Sequence, residues 1–162
     1  MIVGVMQPNP YAADLGDRDP LQALEQTPLE LQQLVANWTT DRFEQSYAPG
    51  KWSARKVIVH LAQTELALPV RVRFALSQEG YTAQPFSQDD WIAVDEATDA
   101  RTALDAYLAL RRFNVAMFKR LTSEQRGRSF SHPEYGSLTV WWVANQIAGH
   151  DIHHLRQLKR SE

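Results

Sequence analysis

Apolar residues recur at intervals of three and four in four long stretches of the chain, and polar segments rich in turn-forming residues separate them. This spacing predicts amphipathic helices, because residues three or four positions apart lie on one face of an α-helix. The first helix begins at Asp19-Pro20 or at Thr27-Pro28, since proline is tolerated in the first turn, and it ends near Trp38. Its apolar face comprises Leu24, Leu31, Leu34 and Val35.

The second predicted helix follows a turn at residues 46–53, where a Pro-Gly pair interrupts regular structure. Ser53 is a good N-cap because its hydroxyl can accept a backbone N–H of the first turn, and the helix extends from Ala54 to about Gln78. Pro69 predicts a kink inside it, since proline removes a backbone donor and clashes with the preceding turn. The apolar spacing comes from Val57, Leu61, Thr64, Leu68, Val72 and Ala75.

Two long connections separate the remaining helices. Residues 80–97 form the first one, and a loop of this length in a small domain is often functional. Thr98 or Asp99 then caps a third helix that continues to about Leu121. Its apolar positions include Leu104, Tyr107, Leu108, Leu110, Val115, Phe118 and Leu121.

The second connection covers residues 122–137, and the last helix extends from about Leu138 to Lys159. No stretch alternates between apolar and polar residues, and no hairpin dipeptide stands between apolar runs, so the sequence predicts no strand. Four long helices, with long connections between helices two and three and between helices three and four, predict an all-α four-helix bundle.

Composition narrows the choice of partners and of compartment. A chain of 162 residues is one domain, and we assign residues 1–18 to an N-terminal extension and residues 19–162 to the bundle. A net charge of −2 gives no electrostatic case for nucleic acid or an anionic membrane as the main partner. No segment resembles a membrane span or a secretory signal. We therefore expect a soluble, cytoplasmic protein.

The chain contains no cysteine, so any metal must be bound by His, Asp, Glu or backbone oxygen. Three of the five histidines fall within five residues of the last helix. At about 100° per residue, His150 and His154 continue the apolar stripe and lie one turn apart on one face. His153 lies about 100° from that stripe, which indicates a position at the rim.

His60, on the inward face of the second helix, is the third candidate ligand. Three histidines in one core match the ligand number of a catalytic metal site, and buried imidazoles need partners for their nitrogens. Each of them could equally be a hydrogen-bonded core residue, and His132 belongs to a loop whose turn it could stabilise. Asp151 or Gln157 could orient a ligand imidazole through its second nitrogen, although the spacing fits a solvated Asp151 equally well.

Two further groups of residues carry weaker signals. Arg71 falls near the same stripe as His60 and could meet an anionic ligand, although a paired or solvated arginine would show the same pattern. The first connection contains Asp89, Asp90 and Trp91, which are candidates for the rim of a pocket.

Three segments resemble the DinB/YfiT-like superfamily of metal-dependent enzymes. YAPGKWSARKVIVHLAQTE resembles the start of the family's second helix, and SHPEYGSLTVWWVANQIAGHDIHHLRQL resembles its last helix. FSQDDWIAVDEA resembles the acidic-Trp loop that precedes helix three in the YfiT branch. The resemblance covers about residues 20–160, and the order and spacing of the single histidine and the histidine pair make it specific.

The resemblance implies a four-helix bundle with a metal at one end of its core. The family's ligands correspond to His60, His150 and His154, and the associated metals are zinc and nickel. Members often form homodimers. Some branches are thiol S-transferases that use the low-molecular-weight thiol bacillithiol, a related branch uses mycothiol in an isomerase, and many members have no assigned activity. A small-molecule substrate is therefore expected.

Several functions stay open at this point. A metal-bound thiol would lose its proton and attack an electrophile, whereas a metal-bound water would hydrolyse an ester or amide. Alternatively, a structural metal could stabilise a stress-response binding protein that catalyses nothing. A metal-free bundle that binds a lipid or another small ligand is the remaining possibility.

Overall fold

The computed structural model describes residues 7–160, and four long helices form its frame. In chain order the elements are α1 (Ala12–Leu15), α2 (Pro20–Leu34), α3 (Thr40–Phe43), α4 (Ala54–Ser77), α5 (Gln88–Val94), α6 (Ala100–Arg120), α7 (Ser123–Gly127), β1 (Ser129–His132), β2 (Gly136–Thr139) and α8 (Val140–Arg160). The long helices α2, α4, α6 and α8 pack on one another, so the prediction of a four-helix bundle is confirmed.

Side-chain caps fix where three of the long helices begin. Asp19, Ser53 and Asp99 each accept a hydrogen bond from the backbone N–H three residues further on. Such a bond satisfies one of the N–H groups that the first helical turn leaves without a partner. The first long helix therefore begins at Pro20, and the alternative start at Thr27-Pro28 is wrong. It also ends at Leu34, before the predicted end near Trp38.

Prolines lie inside two of the long helices, and neither proline ends its helix. Pro69 lacks an N–H, which frees the carbonyl of Glu65 four residues earlier, and Asn114 Nδ2 donates to that oxygen at 3.1 Å. Pro28 frees the carbonyl of Leu24 in the same way, and an Arg111 guanidinium N–H donates to it at 3.1 Å. Side chains of α6 thus replace both missing backbone bonds. The predicted kink at Pro69 stays a prediction.

The two connections contain regular structure that the sequence pattern missed. The first one includes the short helix α5, capped by the Ser87 hydroxyl. The second one includes the antiparallel hairpin β1–β2, in which Phe130 pairs with Leu138. The prediction of no strand is wrong there, because two strands of four residues are too short to display a period of two. Strand β2 continues to Thr139, so α8 begins at Val140 and not at Leu138.

The segment before α2 packs against α8. A Cβ on Gly149 would collide with the backbone carbonyl of Tyr11, so this close approach requires glycine. The division into an extension, residues 1–18, and a bundle, residues 19–162, stays a prediction, and residues 1–6 and 161–162 lie outside the described residues. Within residues 7–160, no helix combines the length and apolar character needed to cross a bilayer.

Candidate metal centre

Three buried histidines from two helices meet in the core. His60 comes from α4, and His150 and His154 come from α8 one turn apart. Each offers a ring nitrogen within 4.8 Å of the other two, and the Nε2 atoms of His60 and His150 are 2.8 Å apart. Their exposed fractions are only 2%, 4% and 7%. The structure thus brings together all three candidate ligands; their binding of a metal stays a proposal.

We call His60, His150 and His154 the histidine trio. Hydrogen bonds from two of its rings to neighbouring side chains fix how those rings are oriented. His150 Nδ1 lies 3.0 Å from Asp151 Oδ1, and His154 Nδ1 lies 2.7 Å from Gln157 Oε1. Because these oxygens accept hydrogen bonds, each Nδ1 carries the proton and each Nε2 keeps its lone pair. Asp151 and Gln157 therefore orient the rings as the sequence predicted.

Burial keeps His60 and His154 uncharged. Desolvation, followed by the proximity of His150, lowers the pKa of His60 to about 3. Desolvation also lowers the pKa of His154 well below its ordinary value, and His150 and His60 lower it further. Both rings are neutral near pH 7, which is the form that binds a metal ion.

Glu65, Arg111 and Asp151 form a buried ion network next to the trio. Asp151 belongs to this network and also contacts His150. Asp151 Oδ2 accepts the Tyr107 hydroxyl at 2.7 Å and pairs with Arg111. Arg111 also pairs with Glu65 at 2.7 Å. Burial alone would raise the pKa of Asp151, but the Arg111 guanidinium and the bonds from His150 and Tyr107 hold it below its ordinary value. Asp151 therefore stays ionised and remains a charged acceptor for His150.

The sequence contains a signal for this network in two charged residues that lie within apolar stripes. Arg111 lies on the apolar stripe of the third helix, three or four residues from Tyr107, Leu108 and Val115. Glu65 likewise follows Leu61 at helical spacing. A charged residue within an apolar stripe is rarely buried unless it is paired, so the two helices could have been matched through these residues.

A cavity of about 220 Å³ opens beside His60 and His150, and Arg71 lies in its wall; we call it the Arg71 cavity. A second cavity, of about 320 Å³, lies on the His154 side and contains Trp52 and Asp89 in its wall. Tyr11 lines both cavities. A larger groove of about 740 Å³ between α2 and α6 contains none of the three histidines and does not reach the site.

The remaining candidate residues lie outside the trio. His153 has a side chain that is 41% exposed and lies 3.5 Å from Asp14, which agrees with a rim position. His132 accepts the backbone N–H groups of Glu134 and Tyr135 at its Nδ1, so it stabilises the hairpin turn as the sequence suggested. Its ring also lines the Arg71 cavity.

The residues present fit a divalent metal ion. In a tetrahedral zinc site, two imidazole nitrogens at about 2.0–2.1 Å from the ion lie about 3.3 Å from each other. This distance falls between the 2.8 Å that separates the Nε2 atoms of His60 and His150 and the 4.8 Å within which all three ligand nitrogens lie. Three imidazoles suit zinc or nickel. Three polar rings crowd one apolar core, and His60 Nδ1 is buried with no hydrogen-bond partner among residues 7–160.

Comparison with known proteins agrees with this fold. The sequence profile of the DinB superfamily matches residues 23–158. A protein of Oceanobacillus iheyensis named "putative metal-dependent hydrolase" is 26% identical over 139 residues, which cover 85% of this chain and 81% of that protein. YfiT of Bacillus subtilis, which bears the same name, is 27% identical over 144 residues, covering 85% of this chain and 79% of YfiT.

Solved structures show the same arrangement of helices. The structure of Bacillus subtilis YfiT, described as a "probable metal-dependent hydrolase with an unusual four-helix bundle topology", matches with a TM-score of 0.81 at 26% identity, over 88% of this chain and 83% of that one. A mycothiol-dependent maleylpyruvate isomerase matches with a TM-score of 0.69 over 90% of this chain and 62% of that one. At 12% identity, the second match shows a shared fold only.

Proposed function

The chain belongs to the DinB superfamily, and we propose that it is a metal-dependent enzyme acting on a small molecule, with His60, His150 and His154 holding a zinc or nickel ion. The observation that carries this proposal is the meeting of three buried imidazoles, each with a ring nitrogen within 4.8 Å of the other two, beside a cavity. Burying an imidazole nitrogen is costly unless it has a partner, and a shared cation would bind one nitrogen of each ring at once.

Three protein ligands favour a catalytic over a structural role, because structural zinc sites commonly have four. A bound ion would supply a Lewis acid that lowers the pKa of a thiol or a water placed in its open position. The chain contains no cysteine, so a thiol nucleophile must come from solution. Asp151 and Gln157 hold two of the rings in place, and Arg111 keeps Asp151 ionised.

Our first candidate reaction is thiol S-transfer, in which the thiolate of a low-molecular-weight thiol such as bacillithiol would attack an electrophilic small molecule and displace its leaving group. What supports it is the combination of a metal-binding trio, an adjoining cavity and the lack of any thiol in the chain. The second candidate is hydrolysis of an ester or amide, and the names of the Oceanobacillus and Bacillus relatives favour it. Both reactions would use the same three histidines.

One experiment distinguishes the two candidate reactions. Zinc-loaded and nickel-loaded protein would be assayed with bacillithiol plus the electrophile monobromobimane, and separately with p-nitrophenyl acetate. Accelerated bimane labelling of bacillithiol with release of bromide, lost in a folded His150→Ala variant and retained in His153→Ala, supports thiol S-transfer. Ester cleavage with the same dependence on His150 and no bimane labelling supports hydrolysis. Full activity of His150→Ala in both assays would overturn the proposal that the histidine trio catalyses either reaction.

The alternative hypothesis, a non-catalytic protein with a structural metal, predicts a different effect of metal removal. Its folding would depend on the ion, because binding energy is folding energy at such sites. The apolar core and the Glu65–Arg111–Asp151 network contain no metal ligand, so the enzyme proposal predicts that the metal-free bundle stays folded. Circular dichroism before and after chelation tests this difference.

The oligomeric state and the compartment are further parts of the proposal. We propose a homodimer, which light scattering after size-exclusion chromatography tests. We also propose a cytoplasmic location, in keeping with a chain that has no cysteine. Fractionation of cells that produce the protein tests this location.

A further inference from the structure

Arg71 is a buried cation that has no carboxylate partner in the described part of the chain. Only 5% of Arg71 is exposed, and its guanidinium donates one hydrogen bond, at 2.9 Å, to the backbone carbonyl of Gln84. Within residues 7–160, no carboxylate oxygen lies within 4.0 Å of it. Arg111, by contrast, is buried to a similar degree and pairs with both Glu65 and Asp151.

A buried guanidinium that forms no ion pair requires a physical explanation. Moving a charge out of water is costly unless an opposite charge and hydrogen bonds replace the lost hydration. Burial accordingly lowers the pKa of Arg71. Arg71 lies in the wall of the cavity that also contains His60 and His150, so an anion entering that cavity would supply the missing partner.

Two more polar groups in the same wall lack partners within the described part of the chain. Thr64 Oγ1 and Gln146 Oε1 are buried, and neither has a hydrogen-bond partner among residues 7–160. Both residues line the Arg71 cavity. A ligand that carries a hydroxyl or N–H group next to its anionic group would satisfy these atoms as well.

The other charged residue of the wall limits the charge of the ligand. Glu134 also lines the cavity, but it is exposed at the rim on the hairpin turn. A single guanidinium facing a carboxylate at the rim favours a singly charged anion over a doubly charged phosphate. The cavity volume of about 220 Å³ lies below the range of pockets for drug-sized ligands, so the ligand is small.

We propose that the Arg71 cavity selects a small monocarboxylate ligand by pairing its carboxylate with Arg71 while its reacting end faces the histidine trio. The assignment of the reacting end rests on the proposed function. Carboxylate binding by Arg71 does not, because Arg71 lies outside the trio. The proposal therefore names a specificity residue for this site.

Two matched probes test the proposal. Isothermal titration calorimetry would compare 3-mercaptopropionate with its neutral analogue 3-mercaptopropionamide on metal-free and zinc-loaded protein. The wild type should bind the carboxylate at least about tenfold more tightly, as expected for a charge-assisted pair. Arg71→Met should abolish this preference and Arg71→Lys should retain part of it. The control Arg73→Met, on the same helix but outside the cavity, should keep it.

The outcomes separate the two proposals. Equal binding of both probes by zinc-loaded wild type, or a preference that survives in Arg71→Met, overturns the carboxylate proposal and leaves the metal site intact. A preference that depends on Arg71 in a protein that never loads metal supports the carboxylate proposal and overturns the proposed function. Displacement of 3-mercaptopropionate by inorganic phosphate more strongly than by propionate overturns the choice of a monocarboxylate. Circular dichroism verifies that each variant is folded.

Discussion

Replacing Asp151 by asparagine tests how the buried network supports the histidine trio. Asp151→Asn keeps the size of the side chain and removes its charge. The Oδ1 that His150 Nδ1 contacts at 3.0 Å becomes a neutral acceptor, and Arg111 keeps Glu65 as its only carboxylate among the described residues. The variant should therefore weaken both metal binding and the fold.

The structure allows both effects to be estimated. A hydrogen bond to a charged group contributes about 1.5–3 kcal/mol and a neutral one about 0.5–1.5 kcal/mol, so His150 loses roughly 1–1.5 kcal/mol of orientation. That loss corresponds to about a tenfold weaker metal affinity, the lower end of the range for outer-shell ligands. Removing one partner of a buried ion pair costs about 3–5 kcal/mol. Because Arg111 retains Glu65, we expect about 3 kcal/mol less unfolding free energy.

Zinc competition with a chelating dye and urea unfolding of the metal-free protein measure the two quantities separately. Asp14→Asn is the control, because Asp14 pairs with His153 and Arg156 near the surface, where such pairs contribute about 0–1 kcal/mol. Unchanged zinc affinity in a folded Asp151→Asn variant would refute the idea that the network orients His150. Equal losses in the two variants would refute it as well.

Three other predictions follow from named contacts. Asn114→Ala should lower the unfolding free energy by about 2 kcal/mol. The loss should be smaller in a Pro69→Ala background, because that substitution restores the backbone N–H that can bond to the Glu65 carbonyl. Equal losses in both backgrounds, measured by urea unfolding, would contradict this role of Asn114. Gly149→Ala should lower the melting temperature because the new Cβ meets the Tyr11 carbonyl, and an unchanged temperature would show that the segment before α2 does not pack there. Because burial lowers the pKa of His60 to about 3 against about 6.5 unfolded, the unfolded state binds more protons between these values. The metal-free protein should then lose stability as the pH falls below 6.5, and a flat urea midpoint from pH 7 to pH 5 would contradict this.

Sequence patterns predicted the parts of this protein that depend on helical periodicity. The caps Ser53 and Asp99 and the shared face of His150 and His154 follow from spacing within single helices. His60 could be assigned to the same core because its neighbours repeat at helical intervals. These features were correct because each depends on residues only a few positions apart.

The missed features depend on contacts between distant segments. Asn114 and Arg111 replace the hydrogen bonds that Pro69 and Pro28 remove, and such pairing across helices leaves no local pattern in the sequence. The position of Tyr11 against Gly149 is a further case, since residues far apart in the chain meet there. The hairpin was missed because each strand is only four residues long.

Metal content tests the central claim most directly. Protein purified without a polyhistidine tag would be analysed for zinc and nickel as wild type, as His60→Ala and as His153→Ala, after loading and removal of excess metal. The account predicts about one ion per chain in the wild type and in His153→Ala, and little in His60→Ala. No bound metal in the wild type, or equal content in all three proteins, would contradict it and would leave the three histidines as residues of the core.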